Sequence, residues 1–376
     1  MNRRQFLVSA SIATGAWAFA DWKFNGFRTS EKRLLAFFTT NSLKPSPTQG
    51  LLAGGQVALH IVDVGGSDRY AFRLPMEAPH SLIQHPIRKE IVVIAPREKS
   101  RALVYDISKG EMIASLNLDR GRYFYGHGVF SVDGERLFLT GFDQKSNGFL
   151  LEYDAGWSHV RDIETFGKAP HDIRTCHGGD AVLIANNGWS RLSSYEEPSM
   201  TSVVMMDLKS KKLMEKTELP EGHIAFQHLA GNDRGDFLVG CDYYGKSRSD
   251  FGEYPSLLAK RSVGQKIEFL QMSREMREKM VGNVLSIAWD EAKDVAITTT
   301  PEGPVTFWNL REMKAEHQLL LGQHPHGVAT TPDDVFVTTS NAGVWSAKRR
   351  EAQASNFAPL DLPPFYNVMA HATWLS

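Results

Sequence analysis

The sequence has 376 residues, 42% of them hydrophobic and 23% charged, with a formal net charge of -1. That balance belongs to a chain able to bury a core, and it excludes disorder or low complexity over most of its length. It also excludes the basic footprint of a nucleic-acid-binding surface, so no nucleic-acid partner is expected.

The N-terminus carries Arg3-Arg4, an uncharged stretch through Ala20, and then Asp21. Paired arginines before a short apolar segment, with Ala18-Phe19-Ala20 as a small-residue cleavage site, predict a signal peptide over 1–20 cut after Ala20. The motif resembles the twin-arginine export signal, with Asn2 in place of its usual Ser or Thr and Val8 in place of its Lys. General secretion is the alternative route. The stretch 5–20 is too short to span hydrocarbon, which needs roughly 20 residues, so a membrane is met only during export to a bacterial periplasm. Residues 21–32 read as a linker. Twin-arginine export carries folded proteins, so folding in a reducing cytoplasm is expected. Cys176 and Cys241 form no disulfide framework there, and both read as small buried strand residues. No Cys-x-x-Cys-His is present for covalent haem attachment.

From residue 33 onward, short runs of β-branched and aromatic residues recur in fours with a period of roughly 40 to 50 residues, the mark of a propeller blade. The first complete set predicts strands over 81–85, 91–95, 102–107 and 112–118. Later sets begin at Gly128, Asp172 and Leu229, then near Ser286 and Gly327. First strands end in turn chemistry, as in Ser131-Val132-Asp133-Gly134, Asn232-Asp233-Arg234-Gly235 and Thr331-Pro332-Asp333-Asp334. Third strands finish at Asp106, Asp154, Asp207 and Asn309. One short polar helix is predicted over 273–280, between two blades. Six complete sets leave three strand-like runs at the start, 33–39, 56–64 and 69–74, and one at the end, 367–375. Together these make a seventh blade in which the chain's two ends pair. The expectation is an all-β, seven-bladed β-propeller over 33–376 as one domain, closed by N- and C-terminal strands; six blades with a loose terminus is the alternative.

Several segments then point to a family. Gly126-His127-Gly128-Val129-Phe130-Ser131, Ala169-Pro170-His171-Asp172-Ile173-Arg174, Ala185-Asn186-Asn187-Gly188, Gln227-His228-Leu229-Ala230, Gly240-Cys241-Asp242-Tyr243 and Val305-Thr306-Phe307-Trp308 resemble an exported bacterial family known as domain of unknown function 1513. The resemblance implies a propeller of the YVTN or WD40-like type. It also implies an association with iron supply, with imelysin-like and dihaem-oxidoreductase-like periplasmic proteins as partners, and it brings no activity with it.

In a propeller the first strand of every blade lines the central channel, so equivalent residues form a ring. His80, His127, His171 and His228 take the same place in four consecutive blades, each before an inner strand; Ser286 takes it in the next, and His326 and His371 lie at or beside it in the last two. Six imidazoles are thus expected around one mouth. The ends of second strands belong to the same rim and bring Arg97-Glu98, Asn186-Asn187 and Asp242-Tyr243-Tyr244 among others, with Asp172 beside His171. The two longest inter-strand loops, 187–201 and 243–256, emerge there as well. Imidazoles suit iron and copper, so a transition metal or haem is the expected cofactor, with His80, His127, His171 and His228 as ligands. The bland alternative has these rings bonding to neighbouring backbone and knitting blades together. His324-Pro325-His326 is a weaker clue, and His60, His159, His223 and His317 fall outside the pattern as surface residues.

The expected role is a binding or accessory protein. No nucleophile elbow, phosphate loop or His-Glu-x-x-His is present, and the catalytic residues of any enzyme are unidentified. An acid-base set of His171, Asp172, Asp242 and His228 in a lactonase-like or quinoprotein-like funnel is the enzyme alternative, and a metal-free interaction platform is the third.

Overall fold

The computed structural model describes residues 34–40, 57–64, 69–188, 200–219, 223–244, 254–321, 323–331, 333–340, 343–348, 356–360 and 368–375. The predicted signal peptide, its cleavage site and the linker lie outside them, as do most residues of the loops 187–201 and 243–256. Among the described residues, no helix is long and apolar enough to cross a membrane.

The fold is all-β, built of four-stranded antiparallel sheets as in a β-propeller. The first strands are β1 (Leu34–Thr40), β2 (Val57–Asp63) and β3 (Arg69–Leu74). Then follow β4 (Pro79–Gln84), β5 (Ile91–Lys99), β6 (Arg101–Asp106) and β7 (Glu111–Asn117), and after them β8 (Arg122–Phe130), β9 (Arg136–Asp143), β10 (Asn147–Asp154) and β11 (His159–Lys168). The next two sets are β12 (Pro170–Cys176), β13 (Ala181–Asn186), β14 (Thr201–Asp207) and β15 (Leu213–Leu219), and β16 (Ile224–Gly231), β17 (Phe237–Tyr243), β18 (Leu258–Arg261) and β19 (Glu268–Phe269). The chain continues through β20 (Ser286–Asp290), β21 (Val295–Thr299), β22 (Val305–Asn309) and β23 (Lys314–Leu319). It ends with β24 (Gln323–Thr330), β25 (Asp334–Ser340), β26 (Gly343–Lys348) and β27 (Ala358–Pro359), then β28 (Val368–Leu375). Each set of four pairs in chain order, and β28 completes the first sheet by pairing with β1, Leu34 opposite Leu375 and Thr39 opposite Val368. One departure from separate sheets occurs where β5 runs past its own partners. Arg97 then faces Tyr125 and Lys99 faces Phe124 on β8, fusing two sets into one eight-stranded sheet.

Local chemistry explains the strand ends. Asp106 Oδ1 accepts the backbone N–H groups of Ser108 at 3.0 Å and Lys109 at 3.1 Å, and Asp154 accepts those of Gly156 and Ser158, so the third-strand Asp residues close Asx turns. The predicted helix is present as α1 (Arg274–Lys279): Ser273 Oγ caps it by accepting the Met276 N–H at 3.3 Å, and none of its residues is buried.

Burial falls from the inside of each sheet outward. The second strands β13 and β25 are buried at every position, whereas the fourth strand β15 is exposed or half-buried throughout. Apolar clusters lie between successive sheets: Leu34, Leu59 and Leu375 pack with Leu82 and Ile94, and Phe138, Leu150 and Ile163 pack with Ile173, Val182 and Val204. Leu35, Phe37 and Val62 of the first sheet pack in the same way with Phe336 and Val344 of the last. First strands meet in turn, β4 against β8, β8 against β12, β12 against β16, β16 against β20, β20 against β24, and β28 against both β24 and β4.

The sequence reading placed His80, His127, His171 and His228 before inner strands; the structure places all four inside them. β8 begins at Arg122 rather than at Gly128, and β16 at Ile224 rather than at Leu229. The physical reason is an irregularity in the ladder, described next.

Candidate metal centre

Almost every first strand carries a register shift where the aligned residue sits. His80 lies in the shift between Pro79 and Ser81, and His127 in that between Phe124 and Gly128. His171 lies between Pro170 and Asp172, and the β16 shift falls between Phe226 and His228. A bulge bends the strand and re-aims a side chain that a regular pleat would send into the neighbouring sheet. β20, with Ser286 in place of His, keeps a regular register. Gly126 is required beside the cluster: its φ is +105°, and a Cβ there would stand 2.9 Å from His80 Cγ.

The four rings converge. Centroid separations are 4.9 Å for His80 and His127, 5.1 Å for His80 and His171, and 6.1 Å for His80 and His228. The remaining three are 5.0 Å, 5.4 Å and 4.8 Å, for His127 with His171, His127 with His228, and His171 with His228. No ring is more than 8% exposed. Ligand atoms of His80, His127 and His171 lie within 4.8 Å of one another, and so do those of His127, Asp172 and His228. Tetrahedral coordination at about 2.1 Å needs nitrogens about 3.4 Å apart, so the rings would have to draw closer around an ion. The two groups share His127, and each offers donors of the kind that a borderline metal ion takes. Haem does not fit between these rings, because separations near 5 Å leave no slot for a porphyrin.

Asp172 anchors the cluster from behind. Its side chain is wholly buried, its Oδ1 accepts the Ile173 N–H at 2.8 Å, and its Oδ2 accepts the Leu229 N–H at 2.9 Å from the next sheet. His127 Nδ1 lies 3.2 Å from Oδ1 and His228 Nδ1 lies 3.9 Å from Oδ2. Burial pushes the Asp172 carboxyl above its usual range, and Arg174, whose guanidinium stands 3.0 Å away, holds it back. A carboxylate beside Nδ1 of a histidine is the arrangement that orients many metal-binding histidines.

A polar layer borders the cluster. Tyr125 packs edge-on against His171 at 4.8 Å, and the Arg97 guanidinium lies 5.6 Å from the Tyr125 ring centroid, the two being cross-strand neighbours. Asp242 Oδ2 accepts from Gln227 Nε2 at 2.8 Å, and that amide also reaches the Tyr244 hydroxyl at 3.3 Å. Burial, with Asp242 adding to it, pushes the Tyr244 phenol well above the ordinary range. Asn187 is 2% exposed and sits beside that phenol, while neither its amide nor Arg97 Nε makes a hydrogen bond of good geometry among the described residues. Asn186 turns the other way, donating to Thr165 O at 3.1 Å and Ser202 Oγ at 3.2 Å, so it braces the sheet rather than the site. Asn187, the residue after the end of β13, is the one beside the Tyr244 phenol. Tyr125, Gln227 and Arg174 were missed as site residues, although each lies within two positions of an aligned His or Asp in the sequence.

Among the described residues, the mutual ring contacts join His80, His127, His171 and His228. His326 bonds to Ser340 Oγ at 2.8 Å, and burial, with His324 nearby, lowers its pKa to about 4. His371 falls within β28, and its side chain lies outside the described residues. His60 and His317 are partly buried rather than fully exposed. His60 stacks on Phe37 at 5.5 Å and bonds to Thr39 Oγ1, with burial lowering its pKa to about 4, and His317 stacks on Phe307 at 4.2 Å. Other side chains tie sheet to sheet. Ser81 Oγ donates to Gly126 O at 2.5 Å, Thr299 Oγ1 to His326 O at 2.6 Å, and Thr201 Oγ1 accepts from Phe226 N at 2.7 Å.

Comparisons with known proteins agree with this architecture. The hydrazine synthase structure from Kuenenia stuttgartiensis matches with a TM-score of 0.60 at 12% identity, over 78% of this chain and 92% of that one, a likeness of fold alone. No curated protein matches the sequence. Residues 74–362 match the family model described as "Protein of unknown function (DUF1513)".

Proposed function

The chain belongs to the DUF1513 family, and from that premise we propose a periplasmic binding or accessory protein that holds a transition metal, iron or copper, at its four-histidine cluster. Residues 33–376 would form one seven-bladed propeller, with β28 and β1 closing the ring. The observation that carries the metal reading is the convergence of four buried imidazoles, every pair of rings 4.8 to 6.1 Å apart. Knitting of blades does not require that convergence, since Ser81, Thr201 and Thr299 supply links between sheets. The iron connection, with imelysin-like and dihaem-oxidoreductase-like partners, rests on the family resemblance.

Metal analysis of protein purified from the periplasm tests the reading. Wild-type protein should hold about one ion per chain, and His127→Ala and His171→Ala should each weaken binding by about 100-fold or more. Metal-free wild-type protein, together with variants destabilised by about 1 to 3 kcal/mol, would instead mark the rings as structural.

The export route follows from Arg3-Arg4. Changing both to Lys keeps the charge and removes what the twin-arginine machinery reads, so uncleaved precursor should accumulate in the cytoplasm. Undiminished periplasmic delivery on cell fractionation would assign the protein to general secretion.

A further inference from the structure

Charge balance at the cluster extends this reading and rests on it. Four neutral imidazoles contribute no charge to a bound ion. The one carboxylate among them, Asp172, already faces Arg174 at 3.0 Å. Asp242, the next carboxylate, is held by Gln227. A divalent ion at the cluster would therefore bring its charge into a buried site with little on this chain to neutralise it, and burial penalises an uncompensated charge heavily. Beyond Tyr125 stands Arg97, which interacts with Tyr125 and has Glu98 nearby, while its buried Nε finds no acceptor among the described residues; the Asn187 amide is in the same polar layer. An orphaned guanidinium N–H is a donor shaped for carboxylate.

We propose that the site takes its metal ion together with a small dicarboxylate anion, one carboxylate completing the coordination of the ion and the other meeting Arg97. The two ligands then bind with positive coupling: each neutralises the charge that opposes the other, and the coupling is reciprocal. Tyr125, between Arg97 and His171, forms the wall along which the anion lies.

Cobalt(II) titration, followed by visible absorption in the presence of succinate or of chloride at equal ionic strength, tests this. Succinate should tighten cobalt binding at least tenfold in the wild-type protein. Arg97→Gln should abolish that gain while leaving the affinity for cobalt alone within about twofold. Cobalt binding that is indifferent to succinate, or a gain that survives in Arg97→Gln, would overturn the dicarboxylate and leave the metal site standing. Failure of the wild-type protein to bind cobalt with or without succinate would overturn both. Should Arg97→Gln fail to fold, the wild-type comparison of succinate with chloride still decides.

Discussion

Removing residues 368–376 is expected to abolish the cooperative melt of the whole protein. β28 lies more than 300 residues from β1 in sequence, yet it is that strand's hydrogen-bonded neighbour and packs on both β24 and β4. Its loss would leave β1 with an open row of N–H and C=O groups, a template for aggregation. It would also remove Leu375, wholly buried with Leu34, Leu82 and Ile94, and Ala372, against which Gly327 is packed too closely to admit a Cβ. Leu375→Ala alone should cost about 2 to 5 kcal/mol, as large-to-small changes in a closed core do. Thermal unfolding followed by circular dichroism reads both, and a truncated protein that melts like wild type would reduce β28 to a dispensable tail.

Gly126→Ala should be the most damaging single substitution near the metal centre. A φ of +105° is available almost only to glycine, and forcing alanine into it costs about 1 to 3 kcal/mol. The new Cβ would also fall far inside van der Waals contact with His80 Cδ2, adding roughly 1 to 3 kcal/mol of overpacking unless His80 leaves the cluster. Destabilisation of about 2 to 6 kcal/mol is expected by urea denaturation, with loss of metal in whatever protein folds. Gly178→Ala separates the two causes. Gly178 has φ +64° and no atom within 4 Å of an added Cβ, so that change should cost about 1 kcal/mol and spare the metal. Equal costs at the two positions would show that the His80 contact contributes nothing.

Much of this architecture was legible in the linear sequence because blades repeat. Turn residues such as Asp106 and Asp154, and the capped helix at Ser273, act through neighbours a few positions away, so their local chemistry declares them. The family, too, was readable from the His-bearing segments, and the family match over 74–362 agrees. The alignment of His80, His127, His171 and His228 was visible as spacing. What spacing could not show is how far equivalence carries. Four of the rings meet in one cluster, while His326, which also lies in a register shift, bonds to Ser340 instead. The roles of Tyr125 and Arg97 also depended on tertiary structure: β5 had to overrun its sheet to set Arg97 opposite Tyr125. Such choices are made by contacts between sheets, where residues distant in sequence compete for the same space, and no local pattern records the outcome.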